Sequence, residues 1–264
     1  MLRDITIGQY YSVSSLIHRM DPRFKIIASM LYLVSLFLIN QMIAYVVVIA
    51  FIGIVVKLSK VPVNFIMKGL KPVLMLIIFA FLINVFLTTG TGEPLVKFGF
   101  LKIYSEGLER AFFMAIRLVL LIIGTSILTL TTSPIELTDG IEYLLSPFKK
   151  IGLPAHELAM MMTIALRFIP TLLEETDKIM KAQMARGADF ESGNIMNRAK
   201  ALIPLLVPLF ISAFRRADEL AMAMEARCYR GGEGRTRLKV LKYSRLDLYG
   251  GFVMVIYIAS CIAL

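Results

Sequence analysis

Apolar residues fall along this chain in long charge-free runs, separated by short polar or basic breaks. Between Lys25 and Lys57 lie 31 uncharged positions, Ile26 to Val56. A helix that crosses about 30 Å of hydrocarbon needs about 20 mostly apolar residues. The polar pair Asn40-Gln41 divides the run in two. Each half is short for a span, but Arg23, Lys25, Lys57 and Lys60 can snorkel to the interface. The pattern reads as a tight helical hairpin. One long tilted helix is the alternative, and it would invert the topology of everything downstream.

The run Pro72 to Gly92 predicts a third span, followed by a Gly- and Thr-rich loop from Thr88 to Glu106. A fourth span is expected from about Leu108 to Thr132, with Arg117 inside it. A charge within a span is costly. Either Arg117 lies near the interface and snorkels, or it meets a buried partner or a neighbouring subunit. A last span is expected from Leu248 to Leu264.

Residues 133–245 have a different pattern, too charged for membrane spans and too apolar for ordinary surface. Thr131 to Pro154 reads as a linker, with prolines at 134, 147 and 154 and the pair Lys149-Lys150. Three amphipathic helical pieces are expected after it. The first runs from Ala155 to Phe168 and ends near Pro170. The second runs from Thr171 to Arg186: Leu172, Thr176, Met180 and Met184 recur every fourth position, and Glu174, Lys178 and Lys181 lie on another face. Glu174–Lys178 and Asp177–Lys181 have the favourable i,i+4 order. Gly187 follows as a helix-stop residue. The third starts near Asn197, is kinked or broken by Pro204 and Pro208, and resumes from Leu209 to Cys228. Arg215 and Glu219 form another i,i+4 pair. Ala213, Ala217 and Ala221 make a small-residue stripe that allows close helix approach. Gly231, Gly232 and Gly234 are expected to end this helix, before a basic run from Arg235 to Arg245.

The second and third pieces share a pattern. Asp-x4-Ala-x2-Ala-Arg occurs at Asp177, Ala182, Ala185 and Arg186, and again 41 residues later at Asp218, Ala223, Ala226 and Arg227. A single arginine at a helix C-terminus is explained by the macrodipole and the last carbonyls. Two arginines in the same small-residue setting favour docking. Small flanks let a partner groove close around a guanidinium, whose fork pairs bidentately with carboxylates.

Composition sharpens this picture. Of 264 residues 58% are apolar and 18% charged, mean hydropathy is +0.75, and the formal net charge is +10. Disorder is excluded by the hydrophobicity, a disulfide scaffold by the two cysteines, and a soluble nucleic-acid binder by the apolar excess. With five spans, 25 of the 29 Lys and Arg residues fall on one side. These include Arg3, Arg19, Arg23 and Lys25, then Lys57, Lys60, Lys68 and Lys71, and all 17 between Ser133 and Arg245. Only Lys97, Lys102, Arg110 and Arg117 remain for the other. By the positive-inside rule the first side is cytoplasmic. The N-terminus is then inside and the C-terminus outside. Cys228 and Cys261 fall on opposite sides, so no disulfide is expected between them. The first 22 residues lack an apolar segment, so the first hydrophobic helix reads as an uncleaved anchor.

The expected fold is all-α: a multi-pass membrane protein with about five spans and about three long amphipathic cytoplasmic helices. It divides into an N-terminal membrane part (1–132, four spans), a cytoplasmic helical region (133–245) and a C-terminal span (246–264).

Candidate chemistry is sparse. There is no Gly-x4-Gly-Lys-Ser/Thr, so the chain carries no P-loop. Its two histidines, His18 and His156, lack zinc-ligand spacing. The pair Glu174-Glu175, with His156, could serve an intramembrane hydrolase, although a solvated helix face explains the acidic pair more simply. The spans are nearly free of acids, which argues against an ion-coupled secondary transporter. No metal or cofactor is expected.

Three stretches make the chain resemble the transmembrane T-component (EcfT) of energy-coupling factor transporters, ATP-driven importers of vitamins and transition metals. His18-Arg19-Met20-Asp21-Pro22-Arg23-Phe24-Lys25 is similar to the family's His-x2-Asp-Pro-Arg-x-Lys lead-in to the first helix. Leu166-Arg167-Phe168-Ile169-Pro170-Thr171 precedes Ala185-Arg186-Gly187, which resembles the first Ala-Arg-Gly motif. Ala226-Arg227-Cys228 resembles the second, with Cys228 where glycine is usual. The resemblance implies a cell-membrane scaffold in a bacterium or archaeon, with no catalysis of its own and no nucleic-acid partner. Its coupling helices would cross and dock, through one arginine motif each, onto two ATP-binding-cassette ATPases, alike or different. The same helices would hold a membrane substrate-binding S-component. Ala182, Met184, Ala213, Ala217 and Ala221 are the expected crossing and S-component contacts. Pro170, Pro204 and Pro208 are the expected kinks.

Overall fold

The computed structural model describes residues 10–39, 41–88, 96–98, 101–188, 190, 195–231 and 240–263. Asn40, Gly232, Gly234 and most of the Arg235–Arg245 run lie outside them. The described residues form two units, Gly8–Ile141 with Leu241–Leu264, and Glu142–Val240.

In the first unit the expected hairpin is present as α1 (Pro22–Leu38) and α2 (Met42–Ser59). Asp21 starts α1: its carboxylate accepts from the Arg23 amide, and Pro22 occupies the first helical position with no amide to leave unpaired. α3 (Val63–Leu87) begins nine residues before the charge-free run and carries Pro72 inside it. In the loop after it, β1 (Val96–Phe98) and β2 (Leu101–Ile103) pair antiparallel. α4 spans Ser105–Thr131, and α8 spans Arg245–Ala263.

The core lies between α1, α2, α4 and α8. Tyr32, Leu36, Tyr45, Val48, Ile52, Leu120, Ile127, Met254 and Tyr257 are buried together. Polar atoms inside it are paired: the Tyr32 hydroxyl donates to the Leu120 carbonyl at 3.0 Å, and Ser35 Oγ meets the Tyr257 hydroxyl at 2.9 Å. Gly124 brings α4 close against α1: a Cβ there would clash with the Tyr32 ring. Leu74, Met75, Leu76, Ile78 and Phe79 of α3 stay exposed. A continuous apolar surface of this kind suits lipid rather than water.

Arg117 has partners within the chain. Its Nη2 donates to the Ile39 carbonyl at 2.8 Å and its Nε to the Tyr45 hydroxyl at 3.0 Å. Ile39 is the C-cap of α1, so Arg117 satisfies a carbonyl that the helix end leaves without an intrahelical donor.

The expected linker is structured. α5 (Pro134–Leu145) is followed by a 3-10 helix, Ser146–Ile151. Its prolines mark element starts: Pro134 opens α5, Pro147 sits in the first turn of the 3-10 helix, and Pro154 caps the next helix. The three pieces expected after it are two: α6 (Ala155–Ala185) runs through Pro170, and α7 (Ile195–Glu225) through Pro204 and Pro208. Each proline deletes one backbone hydrogen bond, a local loss of about 3 kcal/mol. The apolar pattern continues on both sides, and a 31-residue helix keeps the remaining turns.

Among the described residues, five helices are long and apolar enough to cross a membrane: α2, α3, α4, α6 and α8. The number matches the expectation, but the membership differs. α1 has only 17 residues, and α6 qualifies as the most weakly apolar of the five. Its Met-rich first half offsets the charges that had marked residues 133–245 as extramembrane.

Candidate functional site

The two arginine motifs end their helices in the same way. In α6 the Gly187 amide donates to the Met184 carbonyl and the Ala188 amide to the Gln183 carbonyl, both at 3.0 Å. In α7 the Cys228 amide donates to the Glu225 carbonyl at 2.9 Å and the Tyr229 amide to the Met224 carbonyl at 3.0 Å. These are the paired 5→2 and 6→1 bonds of a left-handed helix stop. Gly187 takes φ +87° and Cys228 takes φ +57°. Arg186 and Arg227 therefore occupy one structural position, the residue just before the left-handed one. Both are exposed, as are Ala185 and Ala226. α7 thus stops at Cys228, where the third piece is expected to run out, and the stop is made by Cys228 itself rather than by the Gly231 cluster. The signal was present in the repeat, since Cys228 stands where Gly187 does.

Along α6, Ala182 and Met184 are exposed, with Pro170 exposed inside the helix. On α7, Ala217, Ala221, Pro204 and Pro208 are exposed and Ala213 is half-buried. Among the described residues of this helix, Leu205 is the buried apolar one. Phe210, Ile211, Phe214 and Met222 add to its exposed apolar surface.

α6 and α7 are joined by polar contacts. Arg216 Nη2 lies 2.8 Å from Glu175 Oε2, and Gln183 Nε2 donates to the Pro204 carbonyl at 3.4 Å. This ion pair forms where the sequence suggested the local pairs Glu174–Lys178, Asp177–Lys181 and Arg215–Glu219. Exposed pairs within one helix gain little over their hydrated ends. At the N-terminal end of α6, His156 Nδ1 lies 2.9 Å from Glu142 Oε1. The 19 residues from His156 to Glu175 span about 28 Å of helix. The residues of the hydrolase reading are therefore not gathered into one site. Among the described residues no cluster of His, Cys, Asp and Glu has metal-binding geometry.

The N-terminal motif builds a buried knot in the other unit. Asp21, Arg23, Lys25 and Asp247 are all buried. Arg23 pairs with Asp21 at 3.1 Å, donates to the Leu241 carbonyl at 2.8 Å, and lies over the Tyr243 ring at 4.5 Å. Asp247 accepts from the amides of Asp21 at 2.8 Å and Ser244 at 2.6 Å. Lys25 donates to the carbonyls of Thr131 at 2.9 Å and His18 at 3.2 Å. Two acids and two bases balance where an unpaired charge would cost several kcal/mol. His18 Nε2 donates to the Tyr11 carbonyl at 2.9 Å, which leaves Nδ1 to accept from Ser15 Oγ at 2.7 Å. Burial holds the His18 pKa below its ordinary value. Asp247 was missed from sequence: it lies 226 residues from Asp21, and no local pattern marks it.

The long apolar helices define a multi-pass membrane protein, helical among the described residues but for the short β1–β2 hairpin. Residues 13–238 match the cobalt transport protein family, CbiQ. Three similar proteins carry the name energy-coupling factor transporter transmembrane protein EcfT. That of Clostridium kluyveri is 60% identical, covering 100% of this chain and 97% of its own length. That of Ruminiclostridium cellulolyticum is 58% identical, covering 97% and 96%. That of Bacillus subtilis is 53% identical, covering 94% and 93%. The chain belongs to this family of energy-coupling factor transporter transmembrane proteins.

Proposed function

We propose that this chain is the scaffold that couples two ATP-binding-cassette ATPases to a membrane substrate-binding S-component. The observation that carries the reading is the repeated stop, which presents Arg186 and Arg227 identically at two exposed helix ends. Each tip, Ala185-Arg186-Gly187 and Ala226-Arg227-Cys228, docks into an acidic groove of one ATPase. Closure of the ATPase pair on ATP moves α6 and α7, and their motion reorients the S-component. The exposed residues Ala182, Met184, Ala217 and Ala221, with Ala213 beside them, supply a small and adaptable surface for that partner. Pro170, Pro204 and Pro208 redirect the helices by removing one backbone bond each.

In this reading 1–132 and 246–264 form the membrane part and 133–245 the coupling region. The N-terminus is cytoplasmic and the C-terminus outside, as the basic asymmetry favours. Hydrolysis belongs to the partner subunits, and substrate choice to the S-component. The test is the pair Arg186→Ala and Arg227→Ala in the assembled complex. Truncating a desolvated charge in an interface typically costs about 2–5 kcal/mol. Loss of co-purifying ATPase, or hydrolysis without uptake, is the expected result. Normal assembly and uptake would refute the docking role.

A further inference from the structure

Glu175 and Arg216 are separated by 41 residues, the offset of the Asp-x4-Ala-x2-Ala-Arg repeat. They are therefore equivalent positions of two equivalent helices, and they touch each other. A contact between equivalent positions lies on a two-fold axis relating the two copies. The second polar contact fixes the sense of the pairing. Moving from Glu175 forward to Gln183 on α6 corresponds to moving from Arg216 back to Pro204 on α7. The helices run in opposing directions through the contact, the sense a perpendicular two-fold gives, with steps of eight residues on one and twelve on the other that agree to within about one turn.

The lever arms are equal. Arg186 lies eleven residues beyond Glu175, and Arg227 eleven beyond Arg216. Each arginine thus stands about 16 Å along its own helix from the contact, on opposite sides of it.

The charges also fit an axis. Identical copies would bring Glu to Glu or Arg to Arg there, a repulsive pair. Here the copies have opposite signs, Glu175 in one and Arg216 in the other. The neighbouring equivalents differ likewise: Glu174 matches Arg215, and Lys178 matches Glu219. The divergence makes the pseudo-symmetric crossing attractive and selects this register over a slipped one.

We infer that the Glu175–Arg216 pair is a positioning pair, the pivot on a pseudo-two-fold axis that holds the two arginine tips at equal reach. The inference rests on the docking of Arg186 and Arg227 proposed above. A scissoring of α6 against α7 about this point moves both tips equally and oppositely. That motion suits a partner whose two docking grooves are themselves related by a two-fold. A rotation of roughly 10° would displace each tip by about 3 Å at this reach.

The experiment uses the complete complex in proteoliposomes, with Glu175→Gln, Arg216→Gln and the exchange Glu175→Arg/Arg216→Glu. ATP hydrolysed per substrate imported and the amount of bound ATPase are both read. The single variants are expected to retain both ATPases while ATP used per import rises about threefold or more. The exchange is expected to restore the wild-type ratio. If the singles lose ATPase and the exchange regains it, the pair still sets the geometry of the tips. An unchanged ratio in both singles, or an exchange no better than they are, would overturn the pivot. Arg186→Ala/Arg227→Ala runs beside them. If that double variant binds ATPase and transports normally, the docking reading fails instead.

Discussion

Arg186 and Arg227 stand at the same position of one helix stop built twice, each followed by a residue with positive φ. The two stops differ in that residue. Glycine reaches the left-handed region without strain, whereas a Cβ there costs about 1 kcal/mol or more. Gly187→Ala should destabilise the first stop by about 1 kcal/mol. Cys228→Gly should tighten the second by roughly 0.4–1 kcal/mol. Hydrogen exchange of the Ala188 and Tyr229 amides, which close the two stops, reads both effects in opposite directions.

Asp247 holds the Asp21 and Ser244 amides, and beside it Arg23 joins Asp21 to the Leu241 carbonyl. Removing one member strands buried groups, at about 3–5 kcal/mol for a broken buried ion pair. Arg23→Ala and Asp247→Ala should each lower the thermal unfolding temperature of the purified chain markedly. Asp247→Asn, which keeps one carbonyl acceptor, should be milder.

Arg117 closes the α1–α2 turn through Ile39 and Tyr45. Arg117→Leu leaves a carbonyl and a hydroxyl without this donor, at about 1–3 kcal/mol each where they are buried. The variant should unfold at lower temperature than wild type. Arg117→Lys, with one compact donor group, should recover only part of the difference.

His18 is held neutral, with a folded pKa below 6.5 because burial disfavours its charged form. The unfolded chain then binds the proton more readily. The stability this contributes is complete above pH 6.5 and is lost as pH falls below it. Melting curves should show this loss as pH falls below 6.5. His18→Gln should flatten that part of the profile.

The membrane runs were legible because charge-free stretches bounded by Lys and Arg have few other uses. The polar pair Asn40-Gln41 broke the first run, and α1 and α2 stand on either side of it. The limits appeared where tertiary pairing overrides local signals. Pro170, Pro204 and Pro208 predicted breaks, yet the apolar pattern on both sides keeps each helix continuous. Prolines 134, 147 and 154 suggested a linker but mark where helices begin. The repeat exposed both arginine tips, while Asp247 and the Glu175–Arg216 contact required the folded chain, since their partners lie far away in sequence.

The most direct test of the central claim is ATPase co-purification and substrate uptake by the complex carrying Arg186→Ala and Arg227→Ala together. Each single change should leave one docked tip and partial assembly. The double should release the ATPases or leave hydrolysis without uptake. A double variant that binds both ATPases and imports at the wild-type rate would contradict the account.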